Sequence, residues 1–513
     1  MGNILGTWVQ WLMVSTAYAV VITLLLSPAL LWQYRRRVKR WMGHGAQAPV
    51  AMEAEPGAPA TVRWLRVTSV DAARNPAWHS GLPAMPGGVW RIVAGYGVAG
   101  LAVAVVLTAC FAAMYARHAS AIVLTTAFLV FLLPLLATVL SLLCLRPATR
   151  LAAFFCAGAA LYGLLGDRRD LALTLFTTFA LVPLLVLGVF GLRFWRGVAP
   201  MVLIVSLASS LLAVAMVQYV VKGFGLESAW PWRVAGFAVG AGLGYLAVRG
   251  LQTAHEQRRF SDLELFVDGW WLVYLLVQST IFLVMGQHAG YVGVLASFVP
   301  FVILRRLVWK VMAVPGAGRP PRSLLLLRVF AADRRMQALF EGLEARWRHV
   351  GPIRMIAGWD LALRNIGPAD FVAFLGGRLR QLFVRDSQDL EARLAALDDE
   401  RDVDGRYRVG HFWCHAHTWQ PTMRALAGRS QAVLMDLRGF TRDRDGCRYE
   451  LLHLARHAPS LPVLLLVDSA KAYDELRALV AGAEHPEARW VVADLASDAM
   501  ALDDALIAVL QRP

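Results

Sequence analysis

Charged side chains are scarce in this sequence, at 17% of 513 residues against 58% hydrophobic. With a mean hydropathy of +0.51, that balance excludes an ordinary soluble globular chain and implies a polytopic membrane protein. Cysteine is sparse as well. Of five, Cys110, Cys144 and Cys156 fall in apolar segments and Cys414 and Cys447 in the C-terminal part; no spacing suggests a disulfide framework or a metal site, so they read as reduced thiols facing a cytosol. Four signatures are missing: GxxxxGK[ST], GxGxxG after a strand, GxSxG and HExxH. Within the long apolar segments ionisable residues are few, and the main exceptions, Arg91, Arg233, Glu264 and Asp268, each sit near one end. Proton and ion pathways need charge at membrane depth, so a coupled transporter is disfavoured.

What is present is apolar length. Segments at 7–32, 89–115, 120–145, 150–166, 171–193, 199–221, 230–250, 263–286 and 289–312 make nine candidate spans, of which 150–166 is short of the roughly twenty residues a crossing takes. RRRVKR at 35–40 follows the first segment and no basic residue precedes it, so this segment is a retained anchor with its N-terminus outside. Nine crossings then place Arg146, Arg150, Arg193, Arg196, Arg249, Arg258, Arg259, Arg305, Arg306 and Lys310 in the cytosol. The +15 net charge is therefore read as membrane flanks, and nucleic acid is not an expected partner. The bilayer is one partner; a second copy, joined through the spans or the C-terminal domain, is another. Gly236, Gly240 and Gly244 repeat every four residues, which suits close helix approach within one subunit or between two. Residues 34–88 form a basic, then Ala/Gly/Pro-rich, cytosolic loop, with a short strand within 61–70.

After a hinge at 313–321 (AVPGAGRPP) the composition turns ordinary, and residues 322–513 suffice for one domain. Strand-like runs at 324–330, 353–357, 407–413, 432–437, 463–467 and 490–493 alternate with helical patterns at 333–349, 369–384, 387–398, 418–428, 446–457, 471–483 and 498–511. Short continuous apolar strands between helices imply a doubly wound, flavodoxin-type parallel sheet covered on both faces. In such sheets ligands bind at the carboxyl ends of the strands.

That edge would carry Asp360, His411 to His417, Asp468, Asp494, and the stretch at 431–454 with Asp436, Arg438, Gly439, Cys447 and Glu450. Acidic residues ending strands are also routine caps and turn formers. HFWCHAHTW at 411–419 lacks the second ligand pair of a zinc site. Glu450 lies beyond capping-box range and one turn from Cys447. It could orient a ribose hydroxyl or stabilise an oxocarbenium-like centre, or it could be a surface residue paired with Arg444 or Arg448.

GCRYEL at 446–451, after a strand and a polar loop, resembles the Trp-Cys-x-x-Glu-Leu signature of Toll/interleukin-1 receptor (TIR) domains. LLLLRVF, GPIRMIAGWDLA, HTWQPTMRAL and MDLRGF extend the likeness to TIR-like Rossmannoid domains carried behind several spans in bacterial membrane proteins, over about 322–500. Only Cys447, Glu450 and Leu451 match the motif; Gly446 stands where it has Trp. The resemblance implies a bacterial inner-membrane signalling or defence effector, with Glu450 as the residue that cleaves NAD; Asp436, Arg438, Gly439 and Cys447, from the same strand-to-helix stretch, are the residues expected around the ligand. No cofactor is firmly implied beyond NAD as a substrate. The alternative is a non-enzymatic adaptor whose domain mediates association.

Overall fold

The computed structural model describes residues 2–43, 63–67, 86–114, 120–143, 152–153, 156–160, 198–217, 220, 224–225, 229–284, 288–314, 318, 320–328, 343, 347–357, 368–441, 445–458, 461–467, 470–480 and 489–494. The expected span at 171–193, most of that at 150–166, most of the helix at 333–349 and the helix at 498–511 lie outside them. The chain forms two compact units: Met1–Gln33, Val89–Val314 and Arg364–Leu375 make one, and Tyr34–Gly88, Pro315–Leu363 and Gly376–Pro513 the other.

The first unit is helical: α1 (Gly2–Gly43, continuing past Gln33), α2 (Pro86–Met114), α3 (Ala121–Leu142), α4 (Ala199–Met216), α5 (Trp230–Glu256), α6 (Asp262–Val284), α7 (His288–Ala296) and α8 (Phe298–Val311). Among the described residues four stretches are long and apolar enough to cross a membrane: Gly88–Met114, Ala121–Leu142, Trp230–Glu256 and Val292–Val311. The last of these contains the step between α7 and α8 at Ser297, whose hydroxyl donates to the Val294 carbonyl at 2.6 Å. Its start signals are local. Ser120 accepts from the Val123 amide to cap α3, and Ser261 and Glu264 close a reciprocal capping box on α6, with Ser261 N–H to Glu264 at 2.9 Å and Glu264 N–H to Ser261 at 3.2 Å.

The glycine stripe of α5 packs on α4 of the same chain. A Cβ at Gly240 would stand 2.5 Å from Ser209 Cα, and one at Gly236 or Gly244 would stand 2.7 or 2.6 Å from Ala213 or Val205 Cα. Only glycine permits this approach. Val234, Phe237, Val239, Leu243 and Leu246 of α5 are exposed, as residues facing lipid would be.

A polar knot joins α2, α6 and α8. Arg305 is fully buried. Its guanidinium donates to Glu264 at 2.5 Å, to Asp268, and to the Tyr96 hydroxyl at 3.1 Å. Arg91 donates to the last carbonyls of α8, Trp309 at 3.0 Å and Met312 at 3.1 Å. Arg305 was expected among the solvated basic flanks; the carboxylates of α6 draw it inside instead, while Arg306 stays 48% exposed.

The second unit is built on one sheet of eight parallel strands: β1 (Arg63–Val67), β2 (Leu324–Arg328), β3 (Ile353–Ala357), β4 (Phe383–Val384), β5 (Val409–Cys414), β6 (Ala432–Asp436), β7 (Val463–Val467) and β8 (Arg489–Asp494). Their order is β1-β8-β7-β6-β2-β3-β5-β4. Every expected strand is present; β2 and β7 are buried runs of Leu and Val along their described side chains, and β3 and β6 are buried apolar runs that also carry Arg354 and Asp436. The order corrects the flavodoxin-type expectation: β5 adds outside β3 instead of crossing to the far side of β2, which gives the 3-2-1-4-5-6 arrangement with one extra strand at each edge. The extra strand β1 comes from the loop between α1 and α2 and pairs with β8 from Arg63↔Arg489 to Val67↔Ala493.

The expected helix at 369–384 is broken. It gives α9 (Pro368–Leu375), grouped with the helical unit and packed on α5, then a short 3-10 turn at Leu379–Leu382 and β4. Gly377, at φ +70°, ends it by a left-handed step. The remaining helices are α10 (Ser387–Ala395), α11 (Trp419–Ala427), α12 (Asp445–His457) and α13 (Ala470–Val480).

Removing one partner from a buried ion pair strands the other, at a cost of about 3–5 kcal/mol. Arg305→Ala should therefore destabilise the helical unit by that order in detergent unfolding, and Glu264→Gln/Asp268→Asn/Arg305→Met together should recover most of it. Equal losses in both variants would show that the knot is not what holds α2, α6 and α8.

Candidate functional site

The site is the carboxyl edge of the sheet at β2 and β6, where the strand order reverses. From β2 the chain builds outward through β3, and from β6 it builds the other way through β7. Ligands of open α/β sheets bind in the crevice this leaves. Arg328 and Asp436 are register partners there. The residues that follow β2, β3 and β7, including Asp360 and Asp468, lie outside the described residues.

Beyond β6 the chain turns tightly. The Asp436 carboxylate accepts from the Arg438 amide at 3.2 Å and from its Nε and Nη2 at 2.8 and 2.7 Å. Gly439 holds φ +72° and the Phe440 amide donates to the Leu437 carbonyl at 3.0 Å. A positive φ at the third of four turn residues calls for glycine. Leu437 and Phe440 are buried and pin the turn at both ends. Asp436 and Arg438 thus satisfy one another and shape the loop; Gly439 is its exposed tip.

Helix α12 carries Cys447, Glu450, Leu451, Leu454 and Ala455 on its buried face. Cys447 belongs to the apolar core with Val433, Met435 and Leu465. Glu450 is only 5% exposed, and Arg448 pairs with Asp445 at 3.3 Å, so Glu450 is not the surface residue of an Arg448 ion pair. Burial of a carboxylate is costly unless it is hydrogen-bonded or neutralised, which makes Glu450 the one acidic group on the sheet-facing side of this helix. Trp419, at the start of α11 with Thr418 at the N-cap position, meets Tyr449 edge-on at 5.5 Å. Its ring also lies 3.9 Å from where a Cβ at Gly446 would stand.

The histidine-rich stretch does other work. Burial pushes the Cys414 thiol up to about 11, which keeps it protonated and poor as a metal ligand. His415 donates from Nδ1 to the Trp41 carbonyl at 3.0 Å and stacks between Phe383 (4.9 Å) and His417 (5.5 Å). Among the described residues no group of three or more His, Cys, Asp or Glu side chains could hold a metal ion.

Missing from the sequence reading were the ion pairs at the opposite edge: Asp402 with Arg408 (2.8 Å) and Asp404 with Arg406 (2.7 Å), whose carboxylates are buried, and buried Arg354 with the exposed Asp399 (2.6 Å). The DDERDVDGRYR run hints at them only as alternating charge. Comparisons of the chain with protein-family models, with curated proteins and with solved structures return no match.

Two histidines carry a pH signature. Burial, then the Arg406 charge, lowers His349 to about 4, and burial, then His457 and Arg424, does the same to His453. Both are neutral when folded and protonate near pH 6.5 when unfolded. Between about pH 6.5 and 4 the unfolded chain binds more protons, so stability should fall as pH falls. Melting of the full-length protein across that window should show the slope, and His349→Gln/His453→Gln should flatten it. A slope untouched by the double substitution would assign it to other groups.

Proposed function

We propose that this chain is a bacterial inner-membrane protein of nine spans, N-terminus outside, whose cytosolic TIR-like domain binds, and cleaves at the glycosidic bond, NAD or a related nucleotide as a signalling or defence effector. The observation that carries this reading is a coincidence of place. The Asp436 to Phe440 turn stands at the reversal of strand order, the position ligands favour in open α/β sheets. The helix that follows it buries Glu450, the residue matched to the catalytic Glu of the TIR motif. In this reading Glu450 stabilises positive charge as the bond to nicotinamide breaks.

The topology has support of a different kind. β1 precedes α2 and β2 follows α8, yet both strands belong to one sheet, which is in keeping with an even number of crossings between residues 67 and 324. Eight crossings after the first satisfy that parity. Basic residues at 35–40 belong on the cytosolic side with the sheet.

A second reading, a membrane-anchored adaptor without catalysis, draws on the burial itself: Cys447 is in the core, Glu450 is 5% exposed, and Arg438 is held by Asp436.

Full-length protein in detergent, at high concentration with NAD, should release nicotinamide, and Glu450→Gln should lower the rate by about 100-fold or more, the scale for loss of a principal catalytic group. If wild type releases none while both proteins self-associate, the adaptor reading stands. Reporters inserted near residue 60 and fused after residue 513 should both report a cytosolic location. A split result would remove the even-crossing topology.

A further inference from the structure

Helix α12 ends on a ladder of rings. Tyr449, His453 and His457 follow one another at four-residue spacing, which puts them one above another on one side of the helix. The His453 and His457 rings stand 4.8 Å apart, centre to centre, with their planes 32° from parallel. Tyr449 backs His453 at 6.1 Å, within 9° of parallel, and is itself met edge-on by Trp419 of α11. His453 is half-buried against this stack and His457 is exposed. Among the described residues neither imidazole makes a hydrogen bond, and no nitrogen of His453 is sealed from solvent.

Three properties make the pair a ligand set. The four-residue spacing is the one with which an HExxH helix presents two imidazoles to zinc. The separation also fits. With metal–nitrogen bonds of about 2.0–2.1 Å and a near-tetrahedral angle, two imidazoles on one ion have ring centres about 5 Å apart. The protonation state is right as well: burial, then His457 and Arg424, hold His453 below the usual histidine range, at about 4, so at neutral pH it has a lone pair to give. His457 is the last residue of α12, at the end of the helix dipole that favours a cation.

We propose that His453 and His457 form a two-imidazole site for one late transition-metal dication, copper(II) ahead of nickel(II) and zinc(II), with water completing the shell. No third His, Cys, Asp or Glu joins them among the described residues, and the charge that faces the pair is the cationic Arg424. Magnesium and calcium, which need oxygen ligands, are therefore refused, and copper leads by the usual order of affinity. Leu454 stands where an HExxH helix has its Glu base, so the site binds and clips two helical turns together without hydrolytic chemistry. It is independent of what the crevice at β2 and β6 binds.

Full-length protein without a histidine tag, purified in mild detergent and stripped with a chelator, is titrated with copper(II), nickel(II), zinc(II) and magnesium by calorimetry, and its copper form is examined by electron paramagnetic resonance. Wild type should take up one tight copper with the splitting pattern of two equatorial nitrogens, bind nickel and zinc less tightly, and ignore magnesium. His453→Gln and His457→Gln should each weaken copper about tenfold or more and remove the two-nitrogen pattern. Because His457 is exposed, its substitution leaves the packing alone, and circular dichroism checks the fold of each variant. His415→Gln/His417→Gln, which removes the other neighbouring pair of rings, should leave copper binding intact. Absence of a tight copper in wild type, a two-nitrogen pattern that survives in folded His457→Gln, or its loss in His415→Gln/His417→Gln would overturn the site.

Discussion

A guanidinium shut away from water has to be neutralised where it stands, and the helical unit is arranged around that requirement at Arg305. Carboxylates from two successive turns of α6 and the Tyr96 hydroxyl of α2 meet it, so three helices are fixed in register by one side chain from the second-to-last turn of α8. Glu264 serves twice, closing the capping box that starts α6 with one oxygen and receiving Arg305 with the other. The start of the helix and its packing partner are thus set together. Arg91 adds a further tie by gathering the terminal carbonyls of α8. An ion pair so placed contributes more to a unique arrangement than to net stability, because desolvation offsets most of its attraction.

The sheet unit handles charge in a parallel way. At its amino edge, Asp402, Asp404 and Arg354 are buried with partners a few residues or a strand away. At its carboxyl edge, Asp436 turns its two oxygens on Arg438 two residues on. Both edges therefore present loops whose shape is held by internal pairs. Glu450 differs, since it is carried by a helix face that otherwise packs Cys447, Leu451 and Leu454 inward. Its carboxylate lies within the buried face of α12, while Asp436 at the end of β6 is matched by Arg438.

Much of the sheet was legible in the sequence. The runs at 353–357 and 463–467 fold with those bounds, because each is a short apolar block preceded by Pro and no helix of that length could bury it. The Gly236, Gly240, Gly244 stripe was legible as a packing device, though not its partner. The polar knot was not legible. Arg305 and Arg306 look alike beside an apolar segment, and only the three-dimensional meeting with Glu264 and Asp268, some forty residues earlier, buries one and leaves the other at the surface. Strand order was hidden for a related reason: alternation of strands and helices implies parallel pairing but does not say on which side of β2 the strand β5 is laid. At the candidate site, the turn residues Asp436 and Gly439 announce themselves by type, whereas the burial of Glu450 depends on how α12 is rotated against the sheet.

The edge strand β1 has a consequence for biosynthesis. Its partner β8 is more than four hundred residues further along the chain, and at about 5–20 residues per second a ribosome needs some tens of seconds to reach it. During that interval RWLRV leaves the ribosome and the strand has no ladder to join. The arginines at 63 and 66 are the kind of residue that keeps a waiting strand from pairing with a stranger. β1 can take its place in the sheet only once β8, and so every helix between the two strands, has been made.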